Sequence, residues 1–189
     1  MLGIILAGGY SSRAQLNKLL LDFHGEPLIC RTIHSMRPFA KRIVVVTGRF
    51  DKELREALQN QNTDLVYNKN YDLGMFSSVL TGVNESRDED ILLIPGDIPN
   101  VSKKTFESVL GSTGSIRIPT YLGQTGHPLL IEKRLVSLLK KEPVNSNLHL
   151  FIEKHKNEIT HVEVNDPFIN FDVDTMDDYQ KLQDMVERK

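Results

Sequence analysis

One cysteine, Cys30, is all that this sequence of 189 residues contains, so no disulfide can form within the chain and a reducing compartment is expected. No apolar run approaches the roughly 20 residues that span a bilayer. The first apolar stretch, Leu2–Leu6, is broken by Gly8 and Gly9 and follows no basic region, which argues against a secretion signal. An excess of charge is missing too. With 23 Lys and Arg against 25 Asp and Glu, the formal net charge of −2 offers no bulk attraction to nucleic acid or to an anionic membrane. The expectation is a cytoplasmic protein with no nucleic-acid or membrane partner, in which any polyanion is held by local groups.

Several catalytic signatures are also absent. The six histidines show no metal-ligand spacing that would suit zinc, and no Ser-His-Asp or Cys-His arrangement stands out. The dinucleotide fingerprint is missing, and so is the Walker lysine, because Lys18 is flanked by Asn17 and Leu19. What remains is an ordinary globular composition, 40% apolar and 25% charged, long enough to bury a sizeable core in one domain covering residues 1–189.

The stretch Leu6–Lys18, LAGGYSSRAQLNK, follows a short apolar run that reads as a buried parallel strand. Gly8 and Gly9 would turn the backbone sharply with positive φ and let an anion approach the amides closely. Ser11, Ser12, Arg13 and Lys18 add hydroxyl donors and two cations, a combination suited to a polyphosphate, although a glycine pair after a strand can also be a plain turn. Strands are further predicted at Arg42–Thr47, Leu65–Tyr67, Asp90–Pro95, Ile116–Ile118, His127–Ile131 and Thr160–Val164. Helices are predicted at Leu28–Met36, Asp51–Leu58, Met75–Val83, Ser102–Leu110 with Ser102 as N-cap, Lys133–Leu139, Asn147–Lys156 and Met176–Glu187. Tyr121–Gly126 reads as a loop. The alternation predicts an α/β fold, a mainly parallel sheet covered on both faces.

Ligands in such sheets bind beyond the carboxyl ends of the strands, where Asp97, Asp172 and Asp174 are expected. Asp97 plus one C-terminal aspartate would suffice for a hard cation such as Mg²⁺. Plainer readings stand beside this one: Asp97 as a turn residue, Asp174 as a helix cap, Ser77 and Ser78 as helix-start residues, His127 as structural, and Cys30 as a small core residue.

Taken together and in order, LAGGYSSRAQLNK, NYDLGMFSSV, IPGDIP, TGHPLLI and FDVDTMDDY resemble the MobA-like nucleotidyltransferases, especially their molybdenum cofactor cytidylyltransferase branch, from Leu2 to about Tyr179. The resemblance implies a Rossmann-like nucleotidyltransferase fold with a small antiparallel addition. It implies that the backbone of Leu6, Ala7, Gly8, Gly9, Ser11 and Ser12 cradles a nucleoside triphosphate, that Arg13 and Lys18 neutralise it, and that Gly74, Met75 and Ser77 lie near base and ribose. Asp97, with Asp172 or Asp174, resembles the family's Mg²⁺ ligands, and Gly126, His127 and Pro128 would face the acceptor. Two departures stand out. Ala14-Gln15 replaces the Met-Gly of many relatives, and Gly8-Gly9 looks guanylyl where SSR, GMFSS and GHP look cytidylyl.

The implied reaction moves CMP from CTP, favoured over GTP, onto the phosphate of a molybdopterin, with a molybdenum hydroxylase as the expected client. Guanylyl transfer, transfer to another phosphorylated acceptor, and a non-catalytic nucleotide-binding delivery chaperone are the alternatives.

Overall fold

The computed structural model describes residues 1–9 and 17–187. In chain order it contains β1 (Leu2–Ala7), the hairpin of β2 (Asp22–Phe23) and β3 (Glu26–Pro27), α1 (Leu28–Met36), β4 (Arg42–Thr47), α2 (Asp51–Ala57), β5 (Asp64–Tyr67), α3 (Met75–Asn84) and β6 (Ile91–Pro95). There follow α4 (Lys103–Gly111), β7 (Ile116–Tyr121), β8 (Gln124–Thr125), β9 (Leu129–Ile131), α5 (Lys133–Leu139), α6 (Leu148–Lys154), β10 (Ile159–Glu163) and α7 (Met176–Glu187).

Aliphatic and β-branched runs make the central strands, because both of their faces are covered. The main sheet has the order β10-β7-β9-β6-β1-β4-β5, with β8 paired to β7. β1 lies parallel to both β4 and β6, with Leu6 level with Val46 on one side and Pro95 on the other. Their carboxyl ends therefore open on one edge at the middle of the sheet. Alternation along each strand sorts the core: Ile4, Leu6, Val46 and Leu93 pack with α3, α5 and α6, whereas Ile5, Val45 and Ile94 pack with α1, α2 and α4. Each such fully buried side chain contributes roughly 1.5–3 kcal/mol.

The structure extends and corrects the sequence expectations in the last third. β7 runs on from Ile118 to Tyr121, and the expected loop at Tyr121–Gly126 contains β8, paired antiparallel to β7 as Thr120 with Thr125. The strand expected at His127–Ile131 begins only at Leu129, since Pro128, which follows a cis bond from His127, has no N–H to donate. β9 is not an edge addition. It is inserted between β6 and β7 and runs antiparallel to both.

Beyond β10 a third apolar cluster joins Phe23 and Leu28 to Phe168, Val173 and Leu182, docking α7 on the β2–β3 hairpin. The turn leading there is pinned by Asp166, a buried carboxylate that accepts from the Ser102 amide at 2.8 Å, the Thr105 hydroxyl at 2.6 Å and the Phe168 amide at 3.1 Å. Ser102 also caps α4, as expected, by accepting from the Thr105 amide. Asp166→Ala would strand two amides and a hydroxyl, and about 2–4 kcal/mol of stability should be lost. Urea unfolding checks this: the midpoint should fall with the slope unchanged, and an unmoved midpoint would contradict the role given to Asp166.

Candidate functional site

At the open edge of the sheet, β1 ends in Ala7 and continues through Gly8 and Gly9. Neither glycine adopts positive φ, contrary to the expectation for this pair. Gly8 is instead required by close approach: a Cβ there would lie 2.6 Å from the Ser78 hydroxyl and 3.3 Å from the Thr47 carbonyl oxygen. A Cβ at Gly9 would meet nothing within 4 Å among the described residues. Ser11, Ser12 and Arg13, expected to complete a phosphate cradle, lie outside the described residues.

The second wall of the site is the start of α3. Gly74 stands before it at φ 96° and ψ 176°, a conformation essentially restricted to glycine. Ser77 and Ser78 are buried, and both hydroxyls accept from the Asn68 side-chain amide, at 2.8 and 3.0 Å. The Ser77 hydroxyl in turn lies 2.8 Å from the Asn70 carbonyl oxygen and 2.7 Å from that of Gly74. Ser77 thus fastens the loop, while Met75 is exposed at the cavity rim. Asn68, itself buried, was hidden in what reads as a polar loop; the Asn-x-Asn spacing, an Asx turn in which its side chain accepts from the Asn70 amide, is the signal that could have revealed it.

The charged centre brings three distant segments together. Lys18 opens a short 3-10 turn capped by Asn17, and its Nζ lies 2.8 Å from the Asp97 carboxylate and also bonds Asp174. Asp97 follows β6, and its backbone carbonyl accepts from the Val173 amide at 3.0 Å, so the segment Phe171–Thr175 runs beside it. Along that segment Val173 is buried while Asp172 and Asp174 are exposed, the alternation of an extended chain. Asp174 is not the cap of α7. Thr175 does that work, its hydroxyl accepting from the Asp178 amide while the Asp178 carboxylate accepts from the Thr175 amide.

Electrostatics separates these groups. Burial works against the Lys18 charge, but the negative charge of Asp97, followed by the hydrogen bonds to Asp174 and Asp97, outweighs it and holds the ammonium above the usual lysine range. The bond from Lys18 keeps Asp174 below the usual carboxylate range. Asp172 moves the other way, raised by partial desolvation and then by the charges of Asp174 and Asp97. Among the described residues no three His, Cys, Asp or Glu side chains converge to cage a metal alone.

Asp97 and Asp172 border a cavity of about 960 Å³ on the sheet face between α3 and α6. His127 reaches into it, its Nδ1 3.3 Å from the Leu93 carbonyl oxygen, and its backbone amide bonds Ile169. Gly126 is held by packing, since a Cβ there would lie 2.4 Å from the Ile169 oxygen. Cys30 is remote and inert, a core residue whose thiol burial, then the Glu26 charge, pushes up to about 11.

A family model, the MobA-like NTP transferase domain, matches residues 3–159. The chain belongs to this family. It is 31% identical over 181 residues, 93% of this chain and 92% of the other, to the molybdenum cofactor cytidylyltransferase of Escherichia coli. Two solved structures share the fold: a nucleotidyl transferase from Methanothermobacter thermautotroptrophicus, with TM-score 0.83, 24% identity and 99% and 97% of the two chains covered, and Rv0371c from Mycobacterium tuberculosis, with TM-score 0.85, 23% identity and 97% and 98% covered. Rv0371c has also been solved as a complex with manganese, with TM-score 0.76, 22% identity and 97% of each chain covered.

In this MobA-like NTP transferase, Met75, Asp97, Gly126, His127 and Asp172 line one cavity, Lys18 bridges Asp97 to Asp174 at its edge, and the Ser77 hydroxyl is bonded within the loop before α3. No helix among the described residues is long and apolar enough to cross a membrane.

His127 gives a pH test. Burial drops its pKa from 6.5 to about 4, against the raising effects of the Leu93 carbonyl and Asp97. The folded value lies below the unfolded one, so its stability contribution is full above pH 6.5 and is lost as pH falls toward about 4. At most roughly 3 kcal/mol is involved. The urea midpoint of the wild type should fall more steeply across that window than that of His127→Asn; parallel profiles would refute the assignment.

Proposed function

We propose that this chain transfers CMP from CTP to the phosphate of a molybdopterin acceptor and releases pyrophosphate. The observation that carries this reading is Lys18 held against Asp97 and Asp174 where β1 and β6 end, at the mouth of a cavity bordered by Asp97 and Asp172. Similarity to the Escherichia coli cytidylyltransferase over nearly the whole chain supports CTP as the donor. Gly8, which by sequence leans toward the guanylyl branch, has a packing reason in its contact with Ser78 and so carries no information about the base.

The donor set fits a hard divalent cation. Asp97 and Asp172 offer only oxygen, and Mg²⁺ needs no more than one or two carboxylates when phosphate and water complete its shell. Asp97 and Asp172 both border the cavity whereas Asp174 does not line it, so Asp97 and Asp172 are the pair that would hold the ion. Bound there, it would neutralise charge on the α-phosphoryl oxygens.

The remaining work belongs to the chain. An acceptor phosphate oxygen bonds to the α-phosphorus as the bond to the α–β bridging oxygen breaks, and the electron pair leaves with pyrophosphate. Lys18, together with Arg13, stabilises that leaving group, and the amides after β1 orient the triphosphate. The Asn17 side-chain amide nitrogen, buried without a partner among the described residues, is a further donor beside Lys18. A phosphate acceptor is already ionised near neutral pH, so no strong base is required, and His127, neutral there, leaves the acceptor wall uncharged.

Thermal denaturation with Mg²⁺ and each nucleoside triphosphate tests the donor. CTP at about 100 times its dissociation constant should add roughly 2.7 kcal/mol, and the gain should vanish when Mg²⁺ is chelated. A selective response to GTP would move the assignment to guanylyl transfer. In a pyrophosphate-release assay with CTP and molybdopterin, Asp97→Ala and Lys18→Ala should each lower turnover about a hundredfold or more. Normal turnover of either variant would sink the mechanism, and binding without any turnover of the wild type would favour a delivery chaperone.

A further inference from the structure

The cavity has a second end, formed by α6 and the strands beyond β6. On α6, His149 and Glu153 are one turn apart on the same face, and both line the cavity together with Ile152. On β10, Ile159 and His161 alternate onto the cavity side, and His161 lies level with Ile118 of β7. From β6 to β10 the sheet takes three inter-strand steps through β9 and β7, which places this end about 14 Å across from the strand that leads to Asp97.

Charge pairing distinguishes the two sides of α6. Outside the cavity, Lys154 bonds Glu142 at 2.8 Å and His155 lies 3.1 Å from Glu158. Inside it, His149, Glu153 and His161 have no side-chain hydrogen bond or ion pair among the described residues. Three polar side chains are thus turned, unpaired, into a space floored by Ile118, Ile152 and Ile159. A sugar would leave those apolar walls unused. A flat ring would cover them, and a carboxylate with no cation beside it is matched by two parallel N–H donors.

We infer that this end binds the acceptor's heterocycle by a 2-amino-4-oxopyrimidine edge, with Glu153 accepting the adjacent ring and amino N–H groups and with His149 from the helix and His161 from the sheet flanking the ring. The inference rests on the acceptor reading given under Proposed function and names the residues that select it. Guanine carries the same edge, but the proposed donor is CTP, whose cytosine has no ring N–H beside its amino group, so the acceptor is the occupant.

Fluorescence anisotropy with neopterin monophosphate tests this directly, because the chain contains no tryptophan to overlap the pterin signal. Glu153→Gln should weaken pterin binding about tenfold or more, the usual effect of removing one partner from a charged hydrogen-bonded pair. The corresponding 2-oxo analogue, which lacks the amino group, should bind the wild type weakly and be insensitive to Glu153→Gln. The double variant His149→Ala/His161→Ala should lose at least threefold. All variants should retain the wild-type thermal shift with CTP and Mg²⁺, which shows that the fold and the donor end are intact.

Equal binding of neopterin monophosphate by wild type and Glu153→Gln, or equal binding of the pterin and its 2-oxo analogue by the wild type, would overturn the inference while leaving the proposed reaction standing. GTP that displaces the pterin and itself loses affinity in Glu153→Gln would assign this end to a guanine base and overturn it too. A wild type that binds CTP but no pterin would overturn the acceptor reading and the inference together.

Discussion

One ammonium group ties the candidate site together. Lys18 meets Asp97 and Asp174, and the second of these is 156 residues away in sequence. Ion pairs this close to solvent supply little net stability, since Asp174 is mostly exposed and screened by water. What holds the partners is apolar. Phe168, Val173 and Leu182 pack on Phe23 and Leu28, and the Asp97 carbonyl takes the Val173 amide, so the two flanking aspartates arrive beside Lys18 as a consequence of burying the residue between them. Position comes from the hydrophobic cluster; the charges then define what can bind.

That division explains how the three carboxylates come to differ. They share one neighbourhood, yet Lys18 bonds Asp174 directly and leaves Asp172 with partial desolvation and two like charges. Among the described residues Lys18 is the one cation paired with these acids, and one cation cannot neutralise three. The remaining negative charge faces the cavity, where it disfavours a bare anion and suits a cation arriving with one.

Much of the frame is legible in the sequence because it depends on local pattern. Arg42–Thr47 and Lys133–Leu139 have the limits that their apolar residues predict, and Ser102 caps α4 as its position implies. The five motifs also lead to the family. What is not legible depends on partners far away. Nothing near Gly8 says that Ser78 will press against it, and nothing in Asn68 says that two serines of the next helix will share its amide. The direction of β9 is equally hidden, since three aliphatic residues in a row look alike whichever way they run.

Yet the direction of β9 has the larger consequence for function. A purely parallel arrangement of β5, β4, β1 and β6 offers one crevice at its carboxyl edge, enough for one substrate. Reversing β9 beside β6 brings the start of β9, with Gly126 and His127, to that same edge, because Leu129 pairs with Leu93 near the end of β6. β7 and β10 then extend the floor in the original direction. The reversal thus adds a second stretch of cavity lining contiguous with the first and carries His127 to the border between them. In the reaction proposed above, two substrates would lie side by side on one sheet face, with their reacting phosphates beside Lys18, Asp97 and Asp172.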